Sequence, residues 1–147
     1  MKKSVILLAL LLAPIGTTAA EEGTMGLTAH NMFDNRISLG LAIKVKHRQL
    51  VNMRIQMAAT QVIIGLIADA KFEKAAKIAR TKLGLTDEMK QIYELSKNED
   101  FKNLGLAFHN SADELSVVLQ TKDLKKSLQV LNKTMEYCVQ CHNKFRQ

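Results

Sequence analysis

The sequence predicts an all-α protein, an antiparallel four-helix bundle, and three observations predict it. Pro14 is the chain's single proline, so no later helix meets a residue that lacks its backbone N–H. Beyond residue 40, apolar residues recur at alternating spacings of three and four, the period of a helix with one buried face. No run alternates apolar and polar residues between turn formers, so no strand is expected. The 147 residues suit one domain, and 47% apolar with 24% charged residues is a globular composition. The formal charge of +7 comes without a Lys/Arg block interleaved with aromatics, which argues against nucleic acid as a partner.

The elements follow in chain order. Lys2 and Lys3 form a positive start, Ile6 to Ala13 an apolar stretch, and Thr18-Ala19-Ala20 a small-residue cleavage site. Residues 1–20 therefore read as a signal peptide, and residues 21–147 as one exported, periplasmic domain. No later stretch is expected to cross a membrane. Gly23, Gly26 and Gly40 mark residues 21 to about 40 as an irregular leader. The first long helix is expected from about Leu41 to Ala68, with the stripe Leu50, Met53, Met57, Thr60, Ile64 and Ile67. Asp69 is placed to cap a second helix from about Ala70 to Leu83, ended by Gly84. Thr86-Asp87-Glu88 opens a short helix to about Leu95. Asn98-Glu99-Asp100 opens the next, with the stripe Phe101, Leu104, Phe108, Ser111, Leu115 and Val118. Thr121 to Asp123 break it. The last helix carries Leu124, Leu128, Leu131, Met135, Cys138, His142 and Phe145, spaced as an unbroken bundle seam.

That seam holds the chemistry. Cys138 and His142 stand where the pattern asks for apolar residues, and Cys141 follows Cys138 by three, so both thiols project from one part of the helix. Cys138-Val139-Gln140-Cys141-His142 is the attachment pattern of c-type haem: two thioethers hold the macrocycle and the histidine binds its iron. The cofactor predicted is one haem c per chain, with its iron. A redox dithiol is expected near a βαβ unit, and this chain has no strand pattern. A disulfide across two intervening residues closes almost no loop. Zinc needs further ligands, and His30, His47 and His109 show no paired spacing.

An exported helical chain with this motif near its C-terminus resembles the class II cytochromes c, which comprise cytochrome c′ and low-spin relatives of the c-556 type. The tail from Cys138 through Phe145 and Arg146 carries the resemblance, together with Met53-Arg54-Ile55-Gln56-Met57 in the first helix. The resemblance implies a four-helix bundle around one haem near the C-terminal end, with His142 as proximal ligand and Arg146 beside it, tuning the iron. It also implies one of two sixth positions: empty behind an apolar residue, or filled by a first-helix methionine. Met53 is the candidate and Met57, one turn later, the alternative; both also suit gap-filling in a core. His109, beside Phe108, reads as a structural histidine before a ligand, and His47 points to another side of its helix. Arg48 and Arg54 are candidates for the haem propionates. Tyr93 and Tyr137 have no assigned role.

Three function classes remain: an electron carrier, a five-coordinate binder of nitric oxide or carbon monoxide, and an enzyme such as a peroxidase. The last needs hydrogen-bond donors over the iron, and the first-helix stripe offers Met, Leu and Ile, so no enzymatic activity is expected. Electron transfer leads, because Met53 or Met57 closes the sixth position. Its partners would be redox proteins, with Lys125, Lys126, Lys133 and Lys144 facing an acidic docking surface. The chain is expected as a monomer or homodimer.

Overall fold

Caps fix where the helices begin. Asn98 accepts a hydrogen bond from the Phe101 amide at 3.0 Å, and Asp123 one from the Lys126 amide at 2.9 Å, each satisfying a donor that the first turn would otherwise leave open. A computed structural model describes residues 34–94 and 96–147. The proposed signal peptide, His30 and Leu95 lie outside the described residues. The helices are α1 (Ile43–Ala68), α2 (Phe72–Ile78, continued by a π-helical turn, Ala79–Leu83), α3 (Asp87–Glu94), α4 (Glu99–Gln120) and α5 (Leu124–Lys144). The protein is all-α, as predicted.

Two expectations about the chain path are corrected. Asp69 does not cap α2. It ends α1 and pairs with Lys71 at 2.8 Å, Ala70 turns through φ 56°, and α2 begins only at Phe72. Gly84 does end the second helix, yet in an extended conformation (φ −63°, ψ 165°). Its missing side chain makes room instead for the Asp113 carboxylate, which a Cβ there would strike. The second correction concerns strands. Ile37–Ser38 (β1) pairs in parallel with Phe145–Arg146 (β2), Ile37 opposite Phe145 and Ser38 opposite Arg146. A pair two residues long is below what alternation in a sequence can signal, and it gives order to part of the leader.

α4 is the centre of the fold, packed on α5 along one side and on α2 along another, while α1 packs on α2. The main core is Ala59, Ile63 and Ile67 of α1, Ala75, Ala79 and Leu83 of the second helix, Phe108, Ala112, Leu115 and Leu119 of α4, and Val130 and Leu131 of α5. The predicted stripe of α4 is the observed one: Phe101, Phe108, Ser111, Leu115 and Val118 are all buried. The stripes of α1 and α5 are rotated from the predicted ones. α5 turns Ser127, Val130, Leu131 and Thr134 onto α4, small residues that let two helices approach closely, and leaves Leu124, Leu128 and Met135 half exposed. α1 turns Ala59, Ile63 and Ile67 inward. By length and composition α1 is also long and apolar enough to cross a bilayer, contrary to the sequence expectation, and here these three residues lie in the protein core.

Candidate haem site

α1 and α5 make almost no direct contact, because a cavity of about 570 Å³ separates them, within the size range of sites for small ligands and cofactors. Each wall has its own origin. α5 supplies Met135, Tyr137, Cys138, Val139, Cys141 and His142. α4 supplies Phe101, Leu104, Gly105 and Phe108, and α3 supplies Tyr93. α1 supplies Met53, Met57, Thr60 and Ile64, four of the six residues of its predicted stripe. That stripe is therefore real, and it faces the cavity rather than the protein core.

The structure brings together every residue predicted for the iron and its attachment. Cys138, Cys141 and His142 line one wall and Met53 and Met57 the facing one. The methionines differ. Met53 is partly buried, and its sulfur accepts from the Gln147 side-chain amide at 3.8 Å, whereas Met57 is 74% exposed. Both cysteines are half-buried, and no disulfide joins them. Burial raises the pKa of both, and the neighbouring Cys138 helps push Cys141 up to about 11. Redox dithiols work through a lowered thiolate pKa, and burial here acts in the opposite direction. The donor set and the apolar walls fit haem c: two thiols for thioethers, one imidazole, and one thioether across the gap.

A second cleft of about 430 Å³, not lined by the cysteines, lies along Asp100, Gln140 and Lys144, while another of about 410 Å³ adjoins His142 directly and is lined by Arg36, Lys46, Met53, Cys141 and Arg146. Arg36 donates to the His142 backbone carbonyl at 3.2 Å, and Arg146 Nε to the Arg36 carbonyl at 3.3 Å. Arg146 thus lies beside His142, as the resemblance implied. Arg36 and Lys46 were missed: the β1–β2 pairing carries Arg36 of the leader to this place, and Lys46 comes from the first turn of α1. Arg48 instead pairs with Glu88 at 3.1 Å, and neither Arg48 nor Arg54 lines the cavity. The α1 wall also carries Gln49, Gln56 and Gln61, amide donors that reading only the apolar stripe had passed over.

His109 is 1% exposed and lies off the cavity. Its Nδ1 is 2.6 Å from the Leu83 carbonyl and its Nε2 3.3 Å from the Tyr93 hydroxyl. A carbonyl only accepts, so Nδ1 carries the proton and Nε2 accepts from the phenol. Burial lowers the His109 pKa, opposed by the Leu83 and Gly84 carbonyls and by Asp113. Burial likewise pushes Tyr93 up to about 12, with the Cys141 and Cys138 sulfurs adding to it. His109 is a structural histidine, held by hydrogen bonds on both nitrogens. The α5 cations are spread along the helix. Lys133 pairs with Glu114 at 3.4 Å, Lys144 with Asp100 at 2.6 Å, and Lys125 and Lys126 sit in the first turn, roughly 20 Å of helix from Cys138.

No curated protein and no solved structure matches the chain. A family model does: the one described as Cytochrome C' matches residues 52–146, a span that runs from beside Met53 through the cysteine pair to Arg146. The chain belongs to the cytochrome C' family, and is a haem c-type cytochrome.

Proposed function

We propose that this protein is a periplasmic monohaem cytochrome that carries electrons and has no enzymatic activity of its own, built as an antiparallel bundle of α1, α2, α4 and α5. One observation carries the reading: Met53 and the Cys138–His142 segment line facing walls of the same apolar cavity. Bound haem c supplies an iron that takes up and releases a single electron. Cys138 and Cys141 hold the group through thioethers, and His142 provides the proximal nitrogen. Met53 provides the sixth ligand, a thioether that raises the reduction potential, with Met57 as the alternative one turn away. Arg146 tunes the proximal side by its charge. Apolar residues from α4 and α5 keep water from the iron, so little rearrangement accompanies each transfer. The partners are redox proteins, and the cations of α5 favour acidic surfaces on them.

The alternative is a five-coordinate binder of nitric oxide or carbon monoxide. What favours it is the Gln147 amide on the Met53 sulfur, which competes for the same atom. Optical spectroscopy decides. A low-spin ferric spectrum with a weak far-red sulfur–iron band, lost in Met53→Ala as carbon monoxide binding appears, supports the carrier. A high-spin wild type that binds carbon monoxide rapidly overturns it. Denaturing gels stained for haem test the attachment, which Cys138→Ala with Cys141→Ala should abolish; wild-type haem extracted by acidified organic solvent would refute it.

A further inference from the structure

Two tyrosines line the cavity, Tyr93 from α3 and Tyr137 from α5, and they differ in what receives their phenol proton. Tyr93 points its hydroxyl at Nε2 of His109, a nitrogen left with a lone pair because Nδ1–H is committed to the Leu83 carbonyl. Tyr93 is 9% exposed and His109 1%, so water does not compete for that proton. The Tyr93 ring lies on Gly105, where a Cβ would overlap it, and meets Phe101 and His109 with ring centroids 5.6 Å and 5.8 Å away. The phenol is thereby fixed in place. Among the described residues, the Tyr137 hydroxyl has no hydrogen-bond partner.

That difference matters for oxidation. Removing an electron from a phenol makes its proton strongly acidic, and a buried phenol with no base would be left as a costly unpaired cation. A base already in hydrogen-bond contact takes the proton as the electron leaves. We propose that Tyr93 and His109 form a second redox site, a proton-coupled one-electron donor that returns an electron to the haem group of this cavity after hydrogen peroxide has over-oxidised it. The site rests on the haem reading of the cavity. Where the Met53 thioether leaves the iron, the haem group would give up two electrons, which with two protons from solvent reduce one hydrogen peroxide to two water molecules as its O–O bond breaks. Tyr93 returns one electron. Its O–H bond breaks, an N–H bond forms at Nε2 of His109, and a neutral tyrosyl radical remains beside an imidazolium. The second electron comes from the redox protein that reduces the cytochrome. The imidazolium is stabilised where it forms, by the Leu83 carbonyl on Nδ1–H and by the nearby Asp113 carboxylate. Tyr137 lines the same cavity without a base, so it is the internal control.

The test is freeze-quenched electron paramagnetic resonance on the haem-loaded protein mixed with hydrogen peroxide. An organic radical is expected that narrows with ring-deuterated tyrosine, persists in Tyr137→Phe and is lost in Tyr93→Phe. His109→Gln keeps an acceptor but no base, and should lose the radical while its haem spectrum and Tm stay near wild type. A radical that survives in Tyr93→Phe, a full yield in His109→Gln, or no tyrosine radical in the wild type overturns the proposal. Failure of the haem reading itself is seen beforehand, as absent haem stain on a denaturing gel.

Discussion

The two ends of the bundle share α1 and α4 and are packed in opposite ways. Where α1, α2 and α4 meet, Ile63, Ala75, Leu83, Ala112, Leu115 and Leu119 are completely enclosed by protein. Where α1 faces α5, Met57 is 74%, Val139 56% and Ile64 45% exposed, although these side chains are no more polar. One end closes on itself. The other presents apolar walls to each other across a gap too wide for side chains to fill, which is how a chain looks when part of its core is not amino acid.

The largest expected effect comes from taking that missing part away. Replacing Cys138 and Cys141 with Ala should leave the closed end intact and loosen the open one. Amide exchange should then become fast in the Met53–Ile64 stretch of α1 and stay slow in α4 around Leu115; equal protection of the two would erase the contrast. Second, Leu115→Ala should cost about 2–5 kcal/mol, as expected of a fully enclosed leucine, while Ile64→Ala in the haem-free protein should cost under about 1 kcal/mol, both read by denaturant titration. Similar losses would mean that the ends are not different.

A third test uses pH. Burial lowers the His109 pKa, so the unfolded chain binds a proton at His109 before the folded one does. Stability should therefore be full above the unfolded value of about 6.5, and fall as pH drops below it toward the lowered folded value. His109→Gln should remove that part of the acid sensitivity; an unchanged profile would show that other groups cause it. The smallest effect belongs to the cap of α5. Asp123→Ala should cost about 1 kcal/mol by thermal melting, and lower both ends equally, since α5 runs through both.

The same contrast explains what the sequence could reveal. The stripe of α4 was legible because one face of that helix points inward along its whole length, toward the cavity at Phe101 and Phe108 and onto protein at Leu115 and Val118, so Phe101 to Val118 obey a single period. α1 meets protein on Ala59, Ile63 and Ile67 and the cavity on Met53, Met57, Thr60 and Ile64, and a search for one stripe found the second set. On α5 the close approach to α4 runs through Ser127 and Thr134, which apolar patterning does not register. The attachment residues were the clearest part, because thioether and iron chemistry demand specific atoms at fixed spacing. Arg36 was hidden because it reaches His142 only through a pairing between residues 108 positions apart.

That pairing has a consequence for how the molecule matures. The β1–β2 clasp closes a loop that contains all five helices, and closing a loop of about 100 residues costs several kcal/mol of chain entropy, more than a two-residue ladder returns at roughly 1 kcal/mol per hydrogen bond. The clasp can hold only once the helices have brought the two ends together. Until then the contact of Arg36 with the His142 carbonyl has nothing to hold it. Its closing is the last stitch, drawn across the end of α5 after the helices have packed.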